Sequence, residues 1–177
     1  MKIVFKPFAA TGLFVLLFLF PGSVSLLADA TRLPRFMDYP ASPVYRRKTH
    51  ALLLRYKDAV PKSGIPYAQA HKADFAGHYV VVQGSCGTGC SSLGAMDART
   101  GMIYWFGHTL TQDYGSDLPM ERHRLTSKLL ILHCNLDENR ATNGTYYYVF
   151  KANHFIRVLF IPIKYLDRYY TGVSRQG

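Results

Sequence analysis

Apolar residues enter this chain as one solid block and then recur as short runs broken by turn residues. The block spans Phe8 to Phe20 and is densest at Leu13-Phe14-Val15-Leu16-Leu17-Phe18-Leu19-Phe20. Lys2 and Lys6 precede it, Pro21 and Gly22 break it, and Ala28-Asp29-Ala30 follows with the small-residue spacing of a cleavage site. A positive start, an apolar centre and a small-residue end are the three parts of a secretory signal peptide. A spanning helix needs about 20 apolar residues, and this run is shorter and ends on a helix breaker. The expectation is a signal peptide over residues 1–30 and an exported chain, periplasmic or secreted.

Residues 31–48 hold Pro34, Pro40 and Pro43 among Arg32, Arg35, Arg46 and Arg47, and read as an extended lead-in pinned by Leu33, Phe36, Tyr39 and Tyr45. Residues 49–177 then form one β-rich domain. Ala51 to Val60 fits either an amphipathic helix (Leu52, Leu53, Tyr56, Ala59, Val60 on one face) or a buried strand at Leu52-Leu53-Leu54, and Pro61 ends either one. A short helix is expected over Tyr67 to Lys72.

Beyond that point the pattern turns to strands. Tyr79-Val80-Val81-Val82 is a β-branched run closed by Gly84, and Leu93 to Met96 is a second strand after a Gly/Ser/Cys loop. Asp97-Ala98-Arg99-Thr100-Gly101 is a tight turn, with Asp97 accepting from the turn backbone and Gly101 at positive φ. Met102 to Phe106 returns as a third strand, loop residues run to about Leu125, and Lys128 to His133 is a fourth, buried on both faces. Tyr146 to Phe150 and His154 to Phe160 close a hairpin around Ala152-Asn153. The fold class is α+β and β-dominated: a single antiparallel sheet or small barrel of about six strands, with one or two short N-terminal helices. The abundant tyrosines (13) and phenylalanines (11) suit such half-buried pleated surfaces.

Charge narrows the list of partners. The formal net charge is +10. Basic residues outnumber acidic ones nine to two over 31–72 and six to one over 140–177, whereas acidic ones lead seven to four over 73–139. Basic flanks on an exported protein favour contact with acidic proteins, cell-wall polymers or, weakly, an anionic membrane surface. No nucleic-acid module is recognisable, and nucleic acid is not expected as a partner.

The unusual chemistry lies in Gln83-Gly84-Ser85-Cys86-Gly87-Thr88-Gly89-Cys90-Ser91-Ser92. Glycines permit a sharp loop, and two cysteines four apart can close a ring across it. Export favours a Cys86–Cys90 disulfide, leaving Cys134 as a buried thiol; Cys134 pairing with either of them is the other arrangement. A nucleophile reading rests on Gln83-Gly84-Ser85-Cys86-Gly87, which resembles the active-site segment of papain-like proteases. There Thr88-Gly89 adds one residue before Cys90, and Ser91 stands where that family has tryptophan. A metal reading would gather Cys86, Cys90 and Cys134 with His78 or His133, but the second cysteine pair of a structural zinc site is missing. In a third reading the stapled loop is a rigid platform whose backbone N–H groups form an anion-binding nest. His78, Gln83, Gly87, Thr88, Gly89, Ser91 and Ser92 are then the ligand-binding candidates.

Three elements together resemble a family of small exported bacterial proteins to which no activity is attached. They are Asp74-Phe75-Ala76-Gly77-His78-Tyr79, Ser85-Cys86-Gly87-Thr88-Gly89-Cys90 and Ala95-Met96-Asp97-Ala98-Arg99-Thr100-Gly101. The family has asparagine for Asp74 and glycine for Ser85. The resemblance implies export and fold rather than mechanism. No catalytic residue, metal or cofactor is assigned. The expected function is an exported binding module, of the inhibitor or immunity kind, recognising a protein or cell-envelope component through the stapled loop. The alternatives are a cysteine-dependent enzyme using Cys86 or Cys90, or a structural protein of the cell envelope.

Overall fold

The computed structural model describes residues 32–51, 62–112 and 118–165. The signal-peptide segment and most of Ala51–Val60 lie outside the described residues. Among the described residues seven antiparallel strands make one open sheet: β1 (Tyr79–Gly87), β2 (Cys90–Asp97), β3 (Ile103–Thr111), β4 (Glu121–Arg122), β5 (Leu129–Leu136), β6 (Gly144–Lys151) and β7 (His154–Pro162). The order across the sheet is β1-β2-β3-β5-β6-β7, with the two-residue β4 also paired to β5. The sheet is open, so the barrel alternative falls away. The strand beyond the expected six is β4, inside the stretch read as loop up to Leu125. A short helix, α1 (Ile65–Ala70), starts two residues earlier than expected and carries Pro66 in its first turn, where a missing N–H costs nothing.

A bend in β3 shapes the whole. Between Ser92↔Thr109 and Gly94↔Trp105 the pairing with β2 slips, so β3 carries extra residues there. Gly107 sits in the bulge at φ 87°, a conformation that costs little only without a Cβ. The end of β3 is thereby turned onto β5, which it meets only at Leu110↔Leu136 and Thr111↔Asn135.

The two halves of the sheet enclose one core. Tyr79 and Val81, Leu93 and Ala95, Phe106 and Leu110 come from the first half; Leu130, Leu132, Cys134, Tyr146, Tyr148 and Phe150 come from the second. Tyr79 packs edge-on against Phe150 at 4.7 Å between ring centroids, and its hydroxyl donates to Asn153 Oδ1 at 2.8 Å. Asn153 and Ala152 form the β6–β7 turn, both at positive φ. The outer faces are covered as well. Leu33, Phe36 and Tyr39 of the lead-in pack over Leu129, Ile131, Tyr147 and Ile161, while Tyr45 packs with Ala68, Val80, Val82 and Met96. All eight residues of β5 are buried as a result, which explains an apolar run without alternation.

The sheet's edges differ. Along β1, Val81 N donates to Asp74 Oδ1 and Ser85 N to Ser63 Oγ, and Gly64 lies against the Gln83 carbonyl so closely that a Cβ would sit 2.5 Å from it. Along β7, Ile156 and Val158 are exposed, and Val158 is the extra residue where the register with β6 slips. The Asp97 turn is as expected: Arg99 N donates to Asp97 Oδ1 at 2.9 Å, and Gly101 has φ 76°.

Replacing Gly107 by alanine forces a Cβ into the left-handed region at the bend. The expected loss is about 1–2 kcal/mol, read as a lower urea midpoint at unchanged m-value, with faster amide exchange at Leu136 than at Leu130.

Candidate functional site

β1 and β2 run further than the loop reading allowed. β1 continues through Gly87 and β2 begins at Cys90, so the expected Gly/Ser/Cys loop is the end of a hairpin with Thr88-Gly89 as its two-residue turn. Pairing proceeds through Ser85↔Ser91 and then jumps to Gly87↔Cys90. Cys86 is the extra residue of that bulge, and it is joined to Cys90 by a disulfide with Cα atoms 5.2 Å apart. Gly89 takes φ 74° and Gly87 φ 150°. Ser85 Oγ donates to the Gly87 carbonyl at 3.2 Å and accepts from its N–H. β1 is buried at Tyr79–Val82 and exposed from Ser85 to Gly87, so the hairpin leaves the core and presents its tip to solvent. Its base is held by Ser63 and by the close seat of Gly64 on Gln83.

Two polar grooves flank this tip. The first, of about 400 Å³, takes in Gln83, Gly87, Gly89 and Ser91 from the expected set, with Gln112 and Met120 opposite. The second, of about 500 Å³, takes only Thr88 from that set. It runs over Thr111, Asn135, Glu138, Arg140 and Asn143, with Cys90 and Gln112 between the grooves. Ser92 is half-buried and paired within the sheet to Gly84 and Thr109.

His78 is not gathered with the tip. It precedes β1 at the opposite end of the hairpin, with Nε2 3.8 Å from Asp97 Oδ2. Burial lowers its pKa, Arg99 lowers it further, and Asp97 works the other way. Asp97 itself is buried. Burial opposes its ionisation, but hydrogen bonds from the Arg99 side chain and N–H outweigh that and hold the carboxyl below its ordinary value. The group secures the β2–β3 turn.

The thiol chemistry is confined. Cys134 is buried in the core between the halves, and burial pushes its pKa up to about 12, which suppresses the thiolate that nucleophilic or metal chemistry needs. Cys86 and Cys90 are joined to each other, so the three cysteines do not assemble. Among the described residues no set of three or more His, Cys, Asp or Glu side chains is arranged to hold a metal ion.

Sequence reading missed a second titratable cluster. His123 Nε2 lies 3.6 Å from Asp74 Oδ2, and Nδ1 lies 3.5 Å from Glu121 Oε2. These are ion-pair separations, at the limit of hydrogen bonding. Burial opposes a charge on this imidazole, yet Asp74 and Glu121 outweigh it and raise the pKa to about 9. Asp74 also accepts from Val81 N at 3.0 Å, so His123 helps anchor the edge of β1. The opening Asp74-Phe75 motif was visible in the sequence; its partner β4 was not. The groove residues beyond Thr88 were missed for a similar reason, because nothing local announces the pairing of β3 with β5.

Comparison with protein families, with curated proteins and with solved structures finds no match to this chain.

The His123 cluster gives a signed pH dependence. Its folded pKa is raised above the ordinary 6.5, so its contribution is full below pH 6.5 and is lost as pH rises through about 9. Unfolding free energy is expected to fall more steeply over that window for the wild type than for His123→Gln, as measured by urea titrations at several pH values. Parallel curves would remove His123 from the account.

Proposed function

We propose that this chain is an exported binding module that recognises a protein or a cell-envelope polymer through the stapled tip of the β1–β2 hairpin. The observation that carries this reading is the disulfide's position, closing an exposed tip between two polar grooves. A pre-fixed tip loses less conformational freedom on binding than a floppy loop. Export is supported by the same bond, since exposed disulfides persist in oxidising compartments, and by the three-part pattern of residues 1–30. No helix among the described residues is long and apolar enough to cross a membrane.

A cysteine enzyme is disfavoured by a paired Cys86 and Cys90 and a deeply buried Cys134. The partner classes that suit the basic flanks are an acidic protein, as for an inhibitor or immunity protein, or an envelope polymer. Contact through charge alone would fade with added salt, because screening at about 0.15 M salt acts within about 8 Å. Contact through a shaped tip would persist.

Intact-mass analysis of exported protein tests the staple and the export together. In denaturant without reductant, one alkylating label is expected, at Cys134, and three after reduction, with the N-terminus cut after Ala30. Label at Cys86 or Cys90 before reduction would restore the nucleophile and metal readings. Retention on purified cell envelopes at physiological salt is expected to weaken about tenfold when the tip is reduced and alkylated, equivalent to about 1.4 kcal/mol. Unchanged retention would exclude the tip as the contact, and no retention of the oxidised protein would turn the search to a soluble acidic protein.

A further inference from the structure

The second groove has a regular floor. Cys90 pairs with Thr111, and Thr111 with Asn135. Residues directly opposite in an antiparallel sheet share a face, so the three form one row across β2, β3 and β5. The neighbouring row, Leu110 and Leu136, faces the core.

This floor holds unused hydrogen-bonding capacity. Asn135 is 9% exposed, and its Oδ1 has no partner among the described residues; Thr111 Oγ1 is likewise shielded and without a partner among them. Buried polar atoms in folded proteins are nearly always paired, with protein or with an ordered guest. These two residues face each other across one strand pair and line the same groove, so a guest seated there could supply the missing partners.

The wall is strained. Asp137 and Glu138 both have positive φ, 53° and 57°, and Asn139 N closes the turn onto the Leu136 carbonyl at 3.0 Å. Turns of this kind favour asparagine and glycine. Asp137 is tied down by His108 Nδ1 at 2.7 Å and by Thr109 N at 3.0 Å, whereas Glu138 has no such tie among the described residues and lines the groove. Strain retained beside a groove is a recognised companion of ligand contact.

From these features we infer that the second groove binds a neutral, hydroxyl-rich glycan. Glu138 accepts and Arg140 donates at the groove surface, while the Asn135 amide and Thr111 hydroxyl, shielded in this structure, add donors and acceptors once a guest is seated. Closely spaced hydroxyls, each donor and acceptor at once, satisfy such a mixed set. Glu138 and Arg140 balance in charge, which disfavours a polyanion. The groove lining is polar among the described residues, which suits hydroxyl groups better than an apolar anchor. The inference rests on the binding-module reading and narrows it to an envelope polysaccharide.

The test is amide chemical-shift titration of the oxidised protein with two probes, a β-1,4-linked tetramer of N-acetylglucosamine and a β-1,4-linked tetramer of glucose. Saturable shifts centred on Thr111, Asn135, Glu138 and Arg140 are expected with at least one; response to the first alone assigns the acetamido N–H to the orphan acceptor. Glu138→Gly removes the carboxylate while relieving the positive φ. It is expected to weaken binding about tenfold or more, the loss of one charge-assisted hydrogen bond, with an unchanged or raised melting temperature. Lys151→Ala, on the far β6–β7 hairpin, is the control and should bind as the wild type does. No shift with either sugar, shifts elsewhere, or full binding by Glu138→Gly would overturn the glycan assignment. Envelope retention reads the binding-module proposal separately: retention without sugar shifts sinks the glycan alone, whereas sugar shifts with no retention sink the envelope reading.

Discussion

Everything in this fold is arranged around β5, a strand that cannot face water on either side. Leu130, Leu132, Cys134 and Leu136 point one way and Leu129 and Ile131 the other, and all are buried. A strand of that kind requires two covers. The β1–β3 half supplies one by folding across it, and the lead-in at Leu33–Tyr39 supplies the other. The bend at Gly107 follows from the first requirement, because only a turned β3 can both continue the sheet from β2 and reach the end of β5. Ser127 secures the second. Its hydroxyl donates to the Tyr39 carbonyl at 3.1 Å, and Lys128 N donates to that same carbonyl at 2.8 Å.

The same geometry creates the site. Where β3 leaves β2 and touches β5 for two residues, the sheet carries a polar row instead of an apolar one, and the hairpin tip stands beside it. The staple at Cys86–Cys90 fixes one wall, and the Asp137-Glu138 turn, tied to His108 and Thr109, fixes the other. Neither wall depends on a long loop among the described residues. The candidate site and the fold are therefore set at the same seam between the two halves.

Much of this was legible in the residues. The β-branched run at Tyr79–Val82, the Asp97–Gly101 turn, the Ala152-Asn153 hairpin and the non-alternating run at Leu129–Leu132 each declared an element by local chemistry. The pinning role of Leu33, Phe36, Tyr39 and Tyr45 was visible too, as isolated apolar residues in a basic, proline-rich stretch. What escaped was non-local. That strands continue into Cys86–Cys90 depends on a bulge, which sequence does not signal. β4 consists of two charged residues, Glu121 and Arg122, with no apolar pattern at all. His78 looked close to the loop by counting residues, yet strand geometry carries it to the other end. Asn135, Thr111 and Glu138 come together only because two strands far apart in the chain meet.

The unequal edges of the sheet bear on how the molecule behaves in a crowd. The outward amides of Val81 and Ser85 in β1 are already engaged by Asp74 and Ser63, whereas β7 presents Ile156 and Val158 beside a bulge. A strand arriving at β7 meets an irregular edge. An interrupted register at the β7 edge and engaged amides at the β1 edge both oppose the repeated strand addition on which fibre growth depends.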